Sequence, residues 1–208
     1  EGSGLKPKDL VGIPWRVAFA LQADGWWLRS DIIWQKPNPM PESVTDRPTS
    51  AHEHVFLLAK SVRYFYDADA IARPVAEATR ADQRIGTDRP FRDRDAELGA
   101  LPGSRRMARN AVGTGETRNA RNVWTIATQP YPEAHYAVMP RDLAERCIKA
   151  GCPEGGTVLD PFGGAGTTGL VADRLGRSAV LIEASGDYAE MSERRIVDDC
   201  PLFAEVES

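Results

Sequence analysis

The sequence predicts an α/β fold in which an open, mostly parallel sheet carries helices on both faces. Over most of the 208 residues, short apolar runs bounded by turn residues alternate with helical patterns. The apolar runs near the C-terminus are continuous, as expected of parallel strands that are covered on both faces. An arginine-rich stretch without long apolar runs interrupts the pattern and predicts a basic, irregular insertion.

The N-terminal part of the chain predicts one helix and three strands. Residues 9–24 have an apolar face and a proline near the expected helix start, which favours a helix. Residues 26–36 and 53–60 are rich in aromatic and β-branched residues, which favours strands. Residues 63–71 predict a short strand followed by a turn.

The C-terminal part predicts helices and strands in alternation. Residues 123–126 predict a short strand, and residues 141–151 predict a helix that Gly151 stops. The elements expected after it are a strand at 157–162, a helix at 166–176, a strand at 178–184 and a helix at 187–199. Such alternation is typical of a parallel α/β sheet.

The composition is that of an ordinary globular protein, with 42% hydrophobic and 27% charged residues and a net charge of −4. We expect no signal peptide, and no apolar run approaches the ~20 residues of a membrane span. Three cysteines without a C-x-x-C pair argue against a disulfide framework or a zinc site and favour reduced thiols in the cytoplasm. The chain starts at Glu1 rather than at a methionine, so we expect a trimmed or partial product.

The basic insertion is the second compositional feature. Residues 80–121 hold ten arginines and six acidic residues, a net charge of +4 that leaves −8 for the rest of the chain. One interpretation is a disordered surface insertion. The other is a basic loop that contacts nucleic-acid phosphates and bases, and both hold if the loop orders only on DNA. We assign Arg105, Arg106 and Arg109 as candidate DNA contacts.

Residues 158–185 form the strongest local signal, which is a strand, a glycine turn, a helix and a second strand. An acidic residue closes each strand, Asp160 before the turn and Glu183 after the second strand. The glycines permit positive φ and let a ligand approach the backbone. A carboxylate at the end of the second strand is placed to accept both hydroxyls of a ribose.

Two ligands compete for this geometry. Gly164, Gly166 and Gly169 match the dinucleotide fingerprint G-x-G-x-x-G. Asp160, however, precedes the turn, where its charge would repel a pyrophosphate and attract the amino and sulfonium groups of S-adenosylmethionine. The sequence therefore favours the methyl donor, with a dinucleotide such as NAD and a glycine turn without a ligand as alternatives.

The run D-P-F-G-G-A-G-T-T-G at 160–169, continued by L-G-R and I-E, resembles the cofactor motif of S-adenosylmethionine-dependent DNA amino-methyltransferases. These enzymes methylate N4 of cytosine or N6 of adenine. Residues 135–148 are similar to the family's segment before that motif, and residues 31–43 and 52–71 resemble its strands and loops around the target base. The half near the target base precedes the donor half, which is the order of the permuted, beta-type members.

The resemblance implies a Rossmann-like methyltransferase fold and site-specific methylation of double-stranded DNA in bacterial or phage restriction-modification. It divides the chain into a target-base half at 1–79, a target-recognition and DNA-contact insertion at 80–122, and a donor-binding half at 123–208. Homodimers are common in the family, so a homodimer is one expected assembly.

The resemblance also implies roles for individual residues. The residues expected to surround the methionine part of the donor are Asp160, Phe162, Gly164, Gly166 and Thr167. Glu183 is expected to hold the ribose, and the residues expected to flank the donor are His135, Met139 and Pro140. The candidates for the target-base pocket are Trp34, Lys36 and Pro37, at the carboxyl end of a strand.

One departure from the family concerns the catalytic tetrapeptide, which is Asp, Asn or Ser, then Pro-Pro, then an aromatic residue. No Pro-Pro occurs in this chain. In the family the tetrapeptide accepts the N–H bonds of the amino group, which localises its lone pair, and stacks on the flipped base. We therefore expect this chain alone to be inactive, or to need a second polypeptide that supplies the motif. The alternatives are a non-catalytic donor- or DNA-binding remnant and, less favoured, an NAD-dependent oxidoreductase.

The only clustered histidines are His52 and His54, on either side of Glu53. On a strand the two histidines share a side, but no third ligand is near in sequence. We expect structural hydrogen bonds here and no metal site.

Overall fold

The structure, a computed structural model, describes residues 4–74, 117–131 and 138–199. The helices within these ranges are α1 Ile13–Ala23, α2 Arg141–Gly151, α3 Thr167–Arg174 and α4 Gly186–Asp199. The strands are β1 Trp27–Gln35, β2 His52–Ala59, β3 Arg73–Pro74, β4 Thr117–Arg118, β5 Val123–Thr125, β6 Thr157–Asp160 and β7 Ser178–Leu181. The chain divides into two compact units, one of Glu1–Tyr66 with Arg121–Ser208 and one of Asp67–Ala120.

In the first unit, β1 is the middle strand of a three-stranded sheet with the order β2-β1-β5. β2 is antiparallel to β1, from the pair Trp27 and Ala59 to the pair Gln35 and His52, and β5 is parallel to β1. The direction of β2 follows from its connection. Residues 36–51 contain several prolines and no helix, whereas a parallel return needs a long crossover that is usually helical.

Two tryptophans form the centre of this sheet. Trp34 in β1 and Trp124 in β5 are paired in register, and both are buried. The indole N–H of Trp34 donates to the carbonyl of Ile126 at 2.9 Å, which satisfies its buried donor. On the β2 side, α1 packs through Trp15, whose ring meets that of Phe56 edge-on with centroids 4.9 Å apart.

The first unit also contains a β-α-β arrangement formed by β6, α3 and β7. β6 and β7 are parallel, in register from Thr157 opposite Ser178 to Asp160 opposite Leu181. α3 packs against both strands and against α2. The buried side chains between them are Ala144, Ile148, Cys152, Leu170, Val171 and Ala172. This small core holds the ends of β6 and β7 side by side.

The other face of the β6–β7 pair is open. Leu159 is 63% exposed, Val180 is 51% exposed, and Ile182, just beyond β7, is 54% exposed. Leu159 lies directly opposite Val180, so the three side chains form one apolar surface. Parallel strands are normally covered on both faces, and among the described residues only the α3 side of this pair is covered by a helix.

The described part of the second unit is small. β3 and β4 are antiparallel, with Arg73 opposite Arg118 and Pro74 opposite Thr117. Before them, the backbone N–H of Ala70 donates to Oδ1 of Asp67 at 2.9 Å, a local side-chain to backbone hydrogen bond that stabilises the turn. The three-part division expected from the family resemblance stays a prediction.

Most expected elements are present, with bounds that shift by a few residues. The helix at 141–151 has the expected bounds, although Gly151 is its last residue and Cys152 follows in extended conformation. The strand expected within 63–71 is wrong, whereas the turn is present. Its aromatic residues favour a strand only where a neighbouring strand pairs with them, and Tyr64 instead accepts a hydrogen bond from the Arg29 side chain at 3.2 Å.

Across the described ranges, no helix combines the length and the apolar character that crossing a bilayer requires.

Replacing Leu170 with alanine tests the small core beneath the two strand ends. Leu170 is 1% exposed in α3, so Leu170→Ala leaves a cavity and is expected to lower the free energy of unfolding by about 3 kcal/mol. Urea unfolding measures the change. The matched control is Leu10→Ala, at a side chain that is 92% exposed and where we expect a change below about 0.5 kcal/mol. Equal losses in both variants would show that this core is not where the structure puts it.

Candidate cofactor-binding site

The turn between β6 and α3 is tied to the end of β7 by backbone hydrogen bonds. The N–H of Gly163 donates to the carbonyl of Ile182 at 2.8 Å, and the N–H of Ile182 donates to the carbonyl of Asp160 at 2.9 Å. The N–H of Gly166 closes the turn on the carbonyl of Gly163 at 2.9 Å. These bonds bring together the two strand ends at which the sequence places its acidic residues.

Asp160 joins the end of β6 to the first turn of α3. One carboxylate oxygen accepts the N–H of Phe162 at 3.0 Å, and the other accepts the hydroxyl of Thr168 at 2.6 Å. Each carboxylate oxygen can accept a second hydrogen bond. The Asp160 side chain is therefore fixed in orientation and can still accept a hydrogen bond from a ligand.

Glu183 holds the turn from the opposite side. Its carboxylate accepts the N–H of Gly164 at 2.8 Å and the N–H of Ser185 at 2.9 Å. The N–H groups of Ser185 and Gly164 lower the pKa of Glu183 below its ordinary value of 4.5. The carboxylate is thus ionised at neutral pH, held by the backbone, and left with capacity for further hydrogen bonds from a ligand.

The glycines of the fingerprint serve different purposes. A Cβ on Gly166, where φ is +74°, would lie 2.2 Å from Oγ of Ser192 in α4. A Cβ on Gly169 would lie 2.8 Å from Ile196 and 2.9 Å from Leu181. Both glycines are therefore required by packing. Gly164, where φ is +50°, has no atom nearer than 3.9 Å to the added Cβ, so it is the glycine that faces open space.

The structure thus brings six of the predicted donor-site residues together at one turn, with Glu183 facing it from the end of β7: Asp160, Phe162, Gly164, Gly166, Thr167 and Glu183. Phe162 lies at the rim of the turn and is 87% exposed. Pro140 is buried at the start of α2, which packs on α3, and Met139 beside it is 43% exposed. His135 lies outside the described residues.

Three residues behind the turn were missed by the sequence analysis. Thr168 donates to Asp160, Ser192 fills the space under Gly166, and Arg195 contacts the turn from α4. The sequence held one signal for Arg195, because it lies three residues after Ser192 and therefore on the same face of α4. That face packs toward the turn.

The base-side candidates lie at the end of β1 and directly after it. Trp34 is buried in the sheet, and the Lys36 ammonium lies over its ring, 4.7 Å from the centroid. Lys36 also forms an ion pair with Glu53, and Pro37 is exposed. Burial and a satisfied indole N–H fit a core role for Trp34. The pocket role of these residues stays a prediction.

The histidines of β2 make structural contacts. The rings of His52 and His54 lie on the same side of the strand with centroids 5.4 Å apart, as the alternation of a strand requires. A ring nitrogen of His54 is 2.9 Å from a carboxylate oxygen of Asp31. Within the ranges that the structure describes, no group of three or more His, Cys, Asp or Glu side chains is arranged to hold a metal ion.

The candidate DNA contacts Arg105, Arg106 and Arg109 lie outside the described residues.

Gly166→Ala tests whether packing on α4 sets the path of the turn. The positive φ alone costs an alanine about 1–2 kcal/mol, and the overlap with Ser192 adds about 1–3 kcal/mol. Urea unfolding is expected to show both costs as a lower free energy of unfolding. The control is Gly176→Ala, which has a φ of +67° and no atom within 4 Å of the added Cβ. Equal losses in the two variants, or no partial recovery when Ser192→Ala is added to Gly166→Ala, would contradict the packing constraint.

Glu183→Gln tests the hydrogen bonds that lower the pKa of Glu183. The unfolded chain binds this proton more tightly than the folded chain, so the carboxylate stabilises the folded state above its ordinary pKa of 4.5. That contribution is lost as pH falls through the lowered pKa. The difference in unfolding free energy between wild type and Glu183→Gln is therefore expected to be constant near neutral pH and to shrink in acid.

Urea unfolding between about pH 3 and pH 7 measures this difference. The control is Glu190→Gln, which removes the same charge from an exposed position on α4. A difference for Glu183→Gln that follows the same pH course as that for Glu190→Gln would refute the assigned hydrogen bonds.

A family model described as DNA methylase, covering N6- and N4-methylating enzymes, matches residues 4–194. The chain is 46% identical over 194 residues to Type II methyltransferase M.SmaI of Serratia marcescens and 42% identical over 193 residues to Type II methyltransferase M.Cfr9I of Citrobacter freundii. Each alignment covers 93% of this chain, but 54% and 52% of the respective relatives. The chain therefore spans about half the length of the curated relatives it matches.

Solved structures show the same fold. The PvuII DNA methyltransferase, described as cytosine-N4-specific, aligns with a TM-score of 0.61 at 19% identity over 95% of this chain and 65% of that one. The M1.HpyAVI–SAM complex aligns with a TM-score of 0.57 at 20% identity over 90% of this chain and 71% of that one. These alignments confirm the predicted Rossmann-like methyltransferase fold. With a family match across residues 4–194, the chain belongs to the N6/N4 DNA methyltransferase family.

Proposed function

We propose that this chain is the donor-binding part of a DNA methyltransferase that transfers a methyl group from S-adenosylmethionine to an exocyclic amino group, N4 of cytosine or N6 of adenine. The observation that carries the proposal is the placement of Asp160 and Glu183 on either side of the open Gly164. Family membership and relatives named as Type II methyltransferases support a role in bacterial or phage restriction-modification, in the cytoplasm where the DNA is.

The charge at the turn fits S-adenosylmethionine better than a dinucleotide. The donor carries an ammonium and a sulfonium group, both of which are attracted by a carboxylate. A pyrophosphate would meet the fixed carboxylate of Asp160 directly before the turn, whereas a carboxylate at the position of Glu183 suits the ribose of either ligand. Gly166, the fingerprint position at which the backbone would approach a pyrophosphate, is moreover explained by its packing on Ser192.

The residues also fit the shape of the donor. Glu183 accepts two backbone N–H groups and keeps lone pairs for the two ribose hydroxyls. Asp160, fixed by Phe162 and Thr168, keeps an acceptor for the donor's ammonium. When bound, the donor supplies an electrophilic methyl group. This chain's contribution is to orient that group, which accounts for a large share of the rate in transfer reactions.

Activation of the base amine is proposed to come from outside this chain. The sequence holds no Pro-Pro tetrapeptide that would accept the amine N–H bonds. The chain spans about half of the length of the relatives it matches, and the apolar surface of Leu159, Val180 and Ile182 is exposed. We propose that a further segment of the enzyme, or a second polypeptide, covers that surface and supplies the motif.

Double-stranded DNA is the proposed partner, and the basic segment 80–121 is its proposed contact. The absent tetrapeptide also favours a second candidate function, a non-catalytic domain that binds the donor or DNA. Homodimerisation stays a prediction from the family resemblance.

Calorimetric titration of the chain with S-adenosylmethionine tests the proposal. We expect binding by the wild type, and at least about tenfold weaker binding by Asp160→Asn, because a charge-assisted contact contributes roughly 1.5–3 kcal/mol. NAD is the ligand control and is expected to show no heat of binding. Asp198→Asn, an exposed aspartate near the end of α4, is the matched control for charge and is expected to bind as the wild type does.

The same preparations, incubated with unmethylated DNA and labelled donor, separate the two candidate functions. Donor binding without methyl transfer, with transfer restored by adding a polypeptide that carries the tetrapeptide, supports part of an enzyme. Failure of restoration favours the non-catalytic domain. Binding of NAD and silence with S-adenosylmethionine would refute both.

A further inference from the structure

Arg195 is a buried arginine that faces the glycine turn from behind. Its residue is 8% exposed, whereas its neighbour Arg194 on the same helix is exposed. Its Nη1 donates to the carbonyl of Ala165 at 2.7 Å and to the hydroxyl of Thr167 at 3.1 Å. Both acceptors belong to the end of the turn, where α3 begins.

The same guanidinium contacts a second segment. Its central carbon lies 4.3 Å from the ring centroid of Tyr131, a distance typical of a cation–π contact. Tyr131 lies beyond β5 on the stretch of chain that continues toward α2, at whose start Met139 and Pro140 lie. One side chain therefore links the glycine turn to the segment leading to the other residues predicted to flank the donor.

Packing alone does not account for an arginine at this position. Burial removes water from the guanidinium and lowers the pKa of Arg195. Its Nε has no hydrogen-bond partner among the residues that the structure describes. An apolar side chain of similar volume would fill the space without these penalties. The hydrogen bonds to Ala165 and Thr167 require a side-chain donor, which an apolar residue lacks.

Arg195 acts together with Ser192, which is one turn earlier on the same face of α4. Ser192 limits how far Gly166 can move toward the helix. Arg195 fixes the carbonyl of Ala165, and because a peptide unit is planar this also fixes the N–H of Gly166. That N–H closes the turn on Gly163, so the orientation of the whole turn follows from these two side chains.

We propose that Arg195 is a positioning residue for the methyl donor, holding the Ala165–Thr167 part of the turn and the Tyr131 segment at a fixed separation. The inference rests on the proposed function of the turn. Arg195 acts through the backbone of the turn, on the side predicted to surround the donor's methionine part. Its loss therefore weakens binding of the amino-acid end of the donor more than binding of the nucleoside end.

Titration calorimetry of the full chain with two probes tests this prediction. The probes are S-adenosylmethionine and 5′-methylthioadenosine, which keeps the nucleoside and lacks the amino-acid end. Arg195→Met is expected to weaken binding of S-adenosylmethionine at least about tenfold and binding of methylthioadenosine less than about threefold. The loss of preorganisation affects only the contacts that the turn makes with the amino-acid end of the donor. Arg195→Lys keeps a hydrogen-bond donor for the carbonyl of Ala165 but loses the planar guanidinium that stacks on Tyr131. We therefore expect its affinity for S-adenosylmethionine to lie between those of the wild type and Arg195→Met.

Arg194→Met is the matched control, and it is expected to change neither affinity more than about twofold. Hydrogen exchange without a ligand gives a second readout, with faster exchange expected at 165–168 in Arg195→Met than in Arg194→Met. Equal weakening of both probes, which a general loss of structure would give, overturns the inference, as does unchanged affinity. Absence of S-adenosylmethionine binding by the wild type overturns the proposed function itself, and the donor role of Arg195 with it.

Discussion

The hydroxyl of Ser192 lies where any side chain on Gly166 would have to be, 2.2 Å from its Cβ position. Because α4 lies this close, the backbone at Gly166 cannot move further toward the helix, and hydrogen bonds from Gly163 to Ile182 and from Gly166 to Gly163 fix the rest of the path between β6 and α3. That path sets the directions of the N–H groups of Phe162 and Gly164, which Asp160 and Glu183 accept. The two carboxylates of the proposed donor site are therefore oriented by backbone packing and do not depend on a bound ligand for their position.

Charge is arranged around the turn according to the polarity of its peptide groups. The carbonyl of Ala165 meets a cation, Arg195, and the amide of Gly164 meets an anion, Glu183. Each ion stabilises the peptide dipole that faces it. A ligand with positive charge is consequently favoured on the anionic side of the turn, which is also the side where Gly164 leaves open space.

The local pattern of the chain was sufficient to predict the strand, turn and helix that form the site. Apolar runs and helix-stopping glycines located β6, α3, β7 and α4 to within a few residues, because these elements depend on residues near one another in sequence. The acidic residues at the two strand ends could be identified for the same reason. Residues 63–66 show the limit, since their aromatic composition favours a strand but no strand partner is present among the described residues.

Contacts between distant residues could not be predicted in this way. Arg195 and Ala165 are 30 positions apart, and nothing local distinguishes Arg195 from Arg194. The two residues differ only in their burial, since Arg195 is buried and Arg194 is exposed. The glycines illustrate the opposite error. Their spacing suggests a dinucleotide fingerprint, but Gly166, at the position for close ligand approach, is explained by its packing on Ser192.

The open surface of Leu159, Val180 and Ile182 connects the donor site to the proposed remainder of the enzyme. These residues lie on or directly beside β6 and β7, the strands that end at Asp160 and lead to Glu183. Covering them would bury apolar area worth about 25 cal/mol per Å² and would restrict the motion of both strand ends. A segment that docks there to supply the catalytic motif would therefore also tighten the donor site, because both effects act through the same two strands. Donor affinity and completion of the active site are thus expected to be coupled by the fold itself, without a separate regulatory element.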